Sequence, residues 1–211
     1  MTTVSLVLAF VDLSIWIRQR RLAVHFTFAL CSLSAAAIAI FELLMMQAQT
    51  PEQWGLLDRW VHLPTTTLRI GLVLFVALQF PAARRGWIAP VIVLLLAALA
   101  ANFLTGANID FREVTALQSV AVWRAAPVGV PVGDPNPWML LGKANSILMI
   151  AFLIDTMVMV RRQGDGESRR RVVPVCASII VFLERRSLVC WTTCSSPCLP
   201  RSCSSTSVRT R

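Results

Sequence analysis

Apolar residues along this chain gather into six long runs, at 2–17, 22–46, 64–80, 87–104, 138–160 and 172–183. Inside each run the apolar positions are continuous. Strict alternation, the mark of membrane-barrel strands, does not occur, and neither do the polar faces that a soluble helix turns to water. A helix needs about 20 apolar residues to cross a hydrocarbon core roughly 30 Å thick. The middle four runs meet that length; the first is short and the last breaks off. In lipid only a helix or a closed barrel satisfies its own backbone. The pattern therefore predicts an all-α membrane protein, a bundle of five to six transmembrane helices with a structured outer loop cap. A hydrophobic content of 56% and a mean hydropathy of +0.66 agree.

Charge adds orientation. The net charge is +9, and with Lys143 as the one lysine, nineteen of the 20 basic residues are arginine. Ten of them sit in three short connections: Arg18, Arg20 and Arg21; Arg84 and Arg85; Arg161, Arg162, Arg169, Arg170 and Arg171. The other connections carry Arg59, Arg112 and Arg124. Short arginine-rich loops stay in the cytoplasm. The N-terminus is thus expected outside, loops 18–21, 81–86 and 161–171 inside, and loops 47–63 and 105–137 outside. This sorting accounts for the arginines, so the bilayer is the predicted partner and nucleic acid is not. In the first run the charges follow the apolar stretch, the reverse of a signal peptide. An anchor with its N-terminus outside fits it, either tilted or begun upstream of Met1.

The outer connections hold the polar texture. Thr50 with Pro51, Glu52 and Gln53 reads as a helix start, with proline at the first helical position. Trp54, Leu57, Trp60 and Val61 then share one face, which predicts a short amphipathic helix on the outer surface. Loop 105–137 is long for a connector and closes on Pro131, Pro135 and Pro137, which make its end extended and stiff. Asn136 is a candidate cap for the next helix. This loop is either a cap over the helices or a binding surface.

Ionisable groups inside the runs are costly and face partners or water. They are Asp12, Glu42, Arg69, Lys143 and Asp155. Glu42, Arg69 and Lys143 fall in the outer half of the bilayer, so a Glu42–Arg69 or Glu42–Lys143 pair is expected, either as structural glue or lining a pocket. Asp155 lies nearer the inner face, within reach of Arg161 or Arg162. Asn145 and Ser146 are candidates for hydrogen bonds across helices. The stretch Cys31-Ser32-Leu33-Ser34-Ala35-Ala36-Ala37 reads as a close-packing face. Cys31 and Cys176 read as small packing residues.

The stretch Asn102-Phe103-Leu104-Thr105-Gly106-Ala107-Asn108-Ile109-Asp110-Phe111-Arg112-Glu113-Val114-Thr115-Ala116-Leu117 resembles the outer loop of the multi-pass N-terminal sensor region of bacterial sensor histidine kinases. Asn136-Pro137-Trp138-Met139, Phe152-Leu153-Ile154-Asp155, and Phe41-Glu42-Leu43 followed by Thr50-Pro51-Glu52-Gln53-Trp54-Gly55 match the same pattern. The resemblance covers residues 1–183. It implies about seven helices ahead of PAS modules and a dimeric ATP-dependent kinase core, a small-molecule or periplasmic signal, and a second copy of the chain as partner. The candidate signal-sensing or intramembrane polar residues are Asn108, Asp110, Arg112 and Glu113 in the outer loop and Glu42, Arg69, Lys143 and Asp155 in the apolar runs.

The departures from that pattern bear on activity. The family's seventh helix and everything after it are missing. The two histidines, His25 and His62, belong to no phosphoacceptor motif, and Gly164 and Gly166 form no ATP lid. No catalytic, cofactor or metal residue is predicted, and the chain is not expected to phosphorylate anything by itself. From Arg185 on, twenty of the last 27 residues are Cys, Ser, Arg or Thr. A GC-rich gene translated out of frame gives such a composition, so 184–211 is expected to be a disordered, frameshifted tail. Cys190, Cys194, Cys198 and Cys203 lack the paired spacing of a structural zinc site. A small transporter or channel-like protein is the competing reading. Against it stand the lack of an internal repeat and the finding that only Pro90 interrupts an apolar run, near its start.

Overall fold

The computed structural model describes residues 2–18, 23–106, 108–120, 128–163 and 165–194. Six α-helices and one β-hairpin follow the chain: α1 (Thr2–Arg18), α2 (Ala23–Met46), α3 (Pro51–Gln79), α4 (Ile88–Leu104), β1 (Phe111–Val120), β2 (Val128–Pro135), α5 (Met139–Gln163) and α6 (Gly166–Cys194). A turn of 3-10 helix, Arg85–Trp87, leads into α4. Among the described residues four segments are long and apolar enough to cross a membrane: Ala23–Met46, Pro51–Gln79, Arg85–Leu104 and Met139–Gln163. Each helix packs on its neighbour in sequence, from α1 on α2 to α5 on α6.

α3 joins what the sequence divides. The expected surface helix and the run beginning at Pro64 are one continuous helix of 29 residues. Its start is as expected: Thr50 accepts from Gln53 N–H at 3.2 Å, and Pro51 follows as the first helical residue. Pro64 lies buried inside it. Proline removes one i→i−4 bond, but a helix packed among neighbours tolerates it. Here Thr67 Oγ1 donates to Leu63 C=O at 2.9 Å beside the gap. Pro174 likewise lies inside α6, so Pro90 is not alone in interrupting a helix. α6 runs on through Leu183 to Cys194, past the end of the apolar run. Residues 195–211, and with them Cys198 and Cys203, lie outside the described residues.

The small-residue face of α2 packs as expected. Thr27, Cys31, Ser34, Ala36 and Ile38 are buried, and α3 comes close. A Cβ at Gly71 would stand 2.6 Å from Cys31 Sγ, so a methyl there must displace the thiol and a larger side chain would crowd the seam. A second core joins α3 to α4, α5 and α6 through Val76, Phe80, Leu95, Met149, Phe152, Leu153, Val172 and Cys176. α3 is shared by both cores.

The outer loop is not all helix and turn. β1 and β2 pair antiparallel, Val114 opposite Gly133 and Leu117 opposite Pro131, with register shifts near Glu113 and Thr115. This hairpin corrects the all-α expectation. β-branched Val114 and Thr115 favour the extended chain, as do Val130 and Val132. Pro131 and Pro135 fit a two-stranded ribbon, where every strand is an edge. Gly133 sits where the shifted register crowds the strands: a Cβ there would fall 2.1 Å from Glu113 O.

Candidate functional site

The hairpin is tied to the helices by a polar cluster at the N-terminal end of α3, the C-terminal end of α4 and the entry to α5. The first turns of α3 supply Trp54, Asp58, Arg59 and His62. The end of α4 supplies Asn102 and Phe103. The following turn supplies Asn108 and Asp110, and the entry to α5 supplies Asn136.

Arg59 sits at the C-terminus of α4. Its Nη2 donates to Phe103 C=O at 2.8 Å and to Gly106 C=O at 3.2 Å, and its Nε donates to Asn102 C=O at 3.2 Å. Carbonyls in the last turn of a helix have no intrahelical partner and carry the negative end of the dipole. A guanidinium answers both needs. The same group lies 5.7 Å from the centre of the Phe103 ring. Asn102, fully buried, completes the clamp: its Nδ2 donates to Arg59 C=O at 2.8 Å, and its Oδ1 accepts from Ile109 N–H at 3.0 Å.

Asn108 folds the turn beyond. Its Oδ1 accepts from Asp110 N–H at 3.0 Å and Phe111 N–H at 2.6 Å, a side chain standing in for a backbone turn. Gly106 precedes it with φ +64°, a left-handed conformation suited to glycine. Asn136 then sews the turn to α5. Its Nδ2 donates to Asn108 C=O at 2.8 Å, its N–H donates to Asp110 C=O at 2.9 Å, and its Oδ1 accepts from Trp138 N–H at 3.3 Å. Asn136 thus links the turn to the entry of α5, whose first residue is Met139. Trp54 meets Phe111 edge-on at 6.2 Å, and Trp60 meets Phe103 likewise at 5.5 Å.

Of the residues the sequence points to for sensing, two enter this cluster. Asn108 is buried and its oxygens serve the fold; its Nδ2 has no hydrogen-bond partner among the described residues. Asp110 Oδ2 lies 3.7 Å from His62 Nε2. Arg112 and Glu113 are on the exposed part of β1. Glu42 is exposed near the outer end of α2, while Arg69 in α3 and Lys143 in α5 are half-buried. Arg59 and His62 are the residues that sequence reasoning missed. Arg59 stood out only as a single arginine in an arginine-poor loop.

Two expectations about polar groups in the runs are corrected. Asp155 pairs with Arg84, 3.9 Å away, not with Arg161 or Arg162. The loop after α3 comes back against α5, whereas Arg161 and Arg162 lie further along its own helix. Asn145 makes no hydrogen bond across helices; both amide atoms are buried without a partner among the described residues. Ser146 Oγ donates at 3.1 Å to Gly142 C=O on its own helix, the local bond open to any helical serine. Asp12 meets His25 at 2.8 Å, joining α1 to α2.

Among the described residues no three His, Cys, Asp or Glu side chains gather to hold a metal. The cluster is a junction: one guanidinium and three asparagines hold a hairpin onto three helix ends, with His62 and Asp110 facing each other beside them. Comparison of the chain with family models, with curated proteins and with solved structures finds no match.

Proposed function

We propose that the chain is the signal-sensing membrane region of a two-component sensor histidine kinase, without the kinase core. In this reading α1 and α6 join the four longer apolar helices as membrane spans, in a bacterial inner membrane with the N-terminus outside. The observation that carries it is the junction at Arg59, Asn102, Asn108 and Asn136. A ligand that displaces the hairpin moves the ends of α3, α4 and α5 with it, which is the kind of helix shift by which an outer signal reaches an inner output. The output lies on a kinase core that 1–183 does not contain. Glu42, Arg69 and Lys143 are then polar groups of the upper bundle, available to a ligand or to one another.

The coding DNA past codon 184 tests this directly. One of the two alternative frames should encode a seventh apolar run and then a helix carrying a phosphoacceptor histidine. Neither frame doing so would sink the reading. Pro64 and Pro174 inside helices are what a transporter would also show. Solute flux through the chain reconstituted in vesicles would move the assignment there.

A further inference from the structure

We propose that His62 and Asp110 form a proton-operated latch between α3 and the outer cap, closed by acid on the outer side. The inference concerns the junction itself and holds whether or not the chain belongs to a kinase.

The geometry fixes the ring. His62 Nδ1 lies 2.8 Å from Asp58 C=O, and a carbonyl has no hydrogen to give, so Nδ1 carries the proton. In the neutral ring Nε2 is then a bare lone pair, and it faces Asp110 Oδ2 at 3.7 Å. Two acceptors face each other across a gap too long for a hydrogen bond. One proton from solvent on Nε2 turns the same contact into an imidazolium–carboxylate pair, with both ring nitrogens donating. Such a bond draws in to about 2.7–2.9 Å. Both side chains keep partial access to water, 24% for His62 and 30% for Asp110, so the proton can arrive.

Asp110 is the carboxylate that meets the free nitrogen of the ring. On α3, Asp58 brings a buried carboxyl as well as the carbonyl that holds Nδ1, Arg59 is committed to three carbonyls, and Arg69 lies two turns further down. β1 brings Arg112 and Glu113 on its exposed part, and β2 brings Asp134 opposite Glu113. α2 brings Glu42 and α5 Lys143; α4 has no ionisable residue in Ile88–Leu104.

Asp110 is well placed to pass the change on. Its N–H is held by Asn108 and its C=O by the N–H of Asn136 at the entry to α5. Closing the latch therefore stiffens one continuous path from α3 through the turn to α5.

The chain has two histidines, so ¹⁵N-histidine NMR of the full chain in phospholipid nanodiscs shows two rings, and H25Q assigns them. At about pH 8 His62 should appear as the Nδ1–H tautomer. Between there and about pH 5, amide exchange at Asp110, Phe111 and Asn136, corrected for its intrinsic pH dependence, should slow about two- to fivefold, the size a partly exposed ion pair supports. D110N and H62Q should each abolish the slowing and leave exchange in the middle of α5 unchanged. A neutral ring protonated on Nε2, exchange that stays flat in the wild-type chain, or slowing that survives D110N would each overturn the latch.

Discussion

Replacing Arg59 by methionine keeps the aliphatic stem over Phe103 and removes the guanidinium. Three hydrogen bonds go with it, to the carbonyls of Asn102, Phe103 and Gly106. A hydrogen bond to a charged group contributes about 1.5–3 kcal/mol, and a cation over a ring about 0.5–1 kcal/mol. The three bonds share one charge and are not additive. Arg59 is half-buried and its bond to Gly106 is exposed, so solvent replaces part of the loss. The expected cost is about 2–4 kcal/mol, and it falls on the cap, because both helix cores lie elsewhere. Amide exchange at Thr105, Ile109 and Phe111 should therefore speed up by about 30-fold to several hundred-fold, while α5 and α6 keep their protection. Arg59→Lys should recover only part, since one ammonium cannot reach three carbonyls with the same fork. Exchange within about threefold of the parent at all three amides would show that Arg59 does not hold the cap.

Four other outcomes follow from the same contacts. Gly71→Leu should lower thermal stability in detergent by overpacking the α2–α3 seam, at about 1–3 kcal/mol, whereas Gly71→Ala should cost less because Cys31 Sγ can turn aside. Reporters fused after Arg85 and Arg162 should read cytoplasmic and those at Gln53 and Val120 periplasmic; a cytoplasmic signal at Val120 would overturn the arrangement. Glu42→Gln should destabilise the chain, and combining it with Arg69→Gln or Lys143→Gln should restore part of the loss; strict additivity would mean that the groups never meet. At the start of α6, bonds from Ser168, assisted by the nearby charge of Arg171, hold the Asp165 carboxyl below the usual carboxylate range. A lowered folded value means a contribution present above the ordinary value and lost as pH falls through the lowered one. Protection at Ser168, corrected for the intrinsic pH dependence of exchange, should thus be unchanged from pH 8 to 5 and fall only below about pH 4, and Asp165→Ala should abolish that fall.

The helices were legible because a long apolar run writes itself on every residue. The run at 22–46 became Ala23–Met46, and that at 138–160 lies within three residues of Met139–Gln163 at each end. Local signals also held: the Thr50–Pro51 start and the small-residue face around Cys31. The continuity of α3 was hidden because Pro64 is a break by propensity and only neighbouring helices make it tolerable. The hairpin was hidden because β1 carries polar residues on both sides and the pairing depends on a partner strand. Partner choice was hidden as well. Arg59 with Asn102 and Arg84 with Asp155 join residues far apart in sequence, and nothing in either segment names the other. His62 looked like an ordinary member of an amphipathic turn until Asp110 came beside it.

At about 1.5 Å per residue the 29 residues of α3 span about 43 Å, roughly 13 Å more than a hydrocarbon core. The turns bearing Arg59 and His62 are one end of the same rod that reaches Gln79, and Pro64 lies between them. With fifteen residues beyond it, a 5° change of bend at Pro64 would swing Gln79 through about 2 Å. A load applied to the cap would thus become leverage at the far end of the helix.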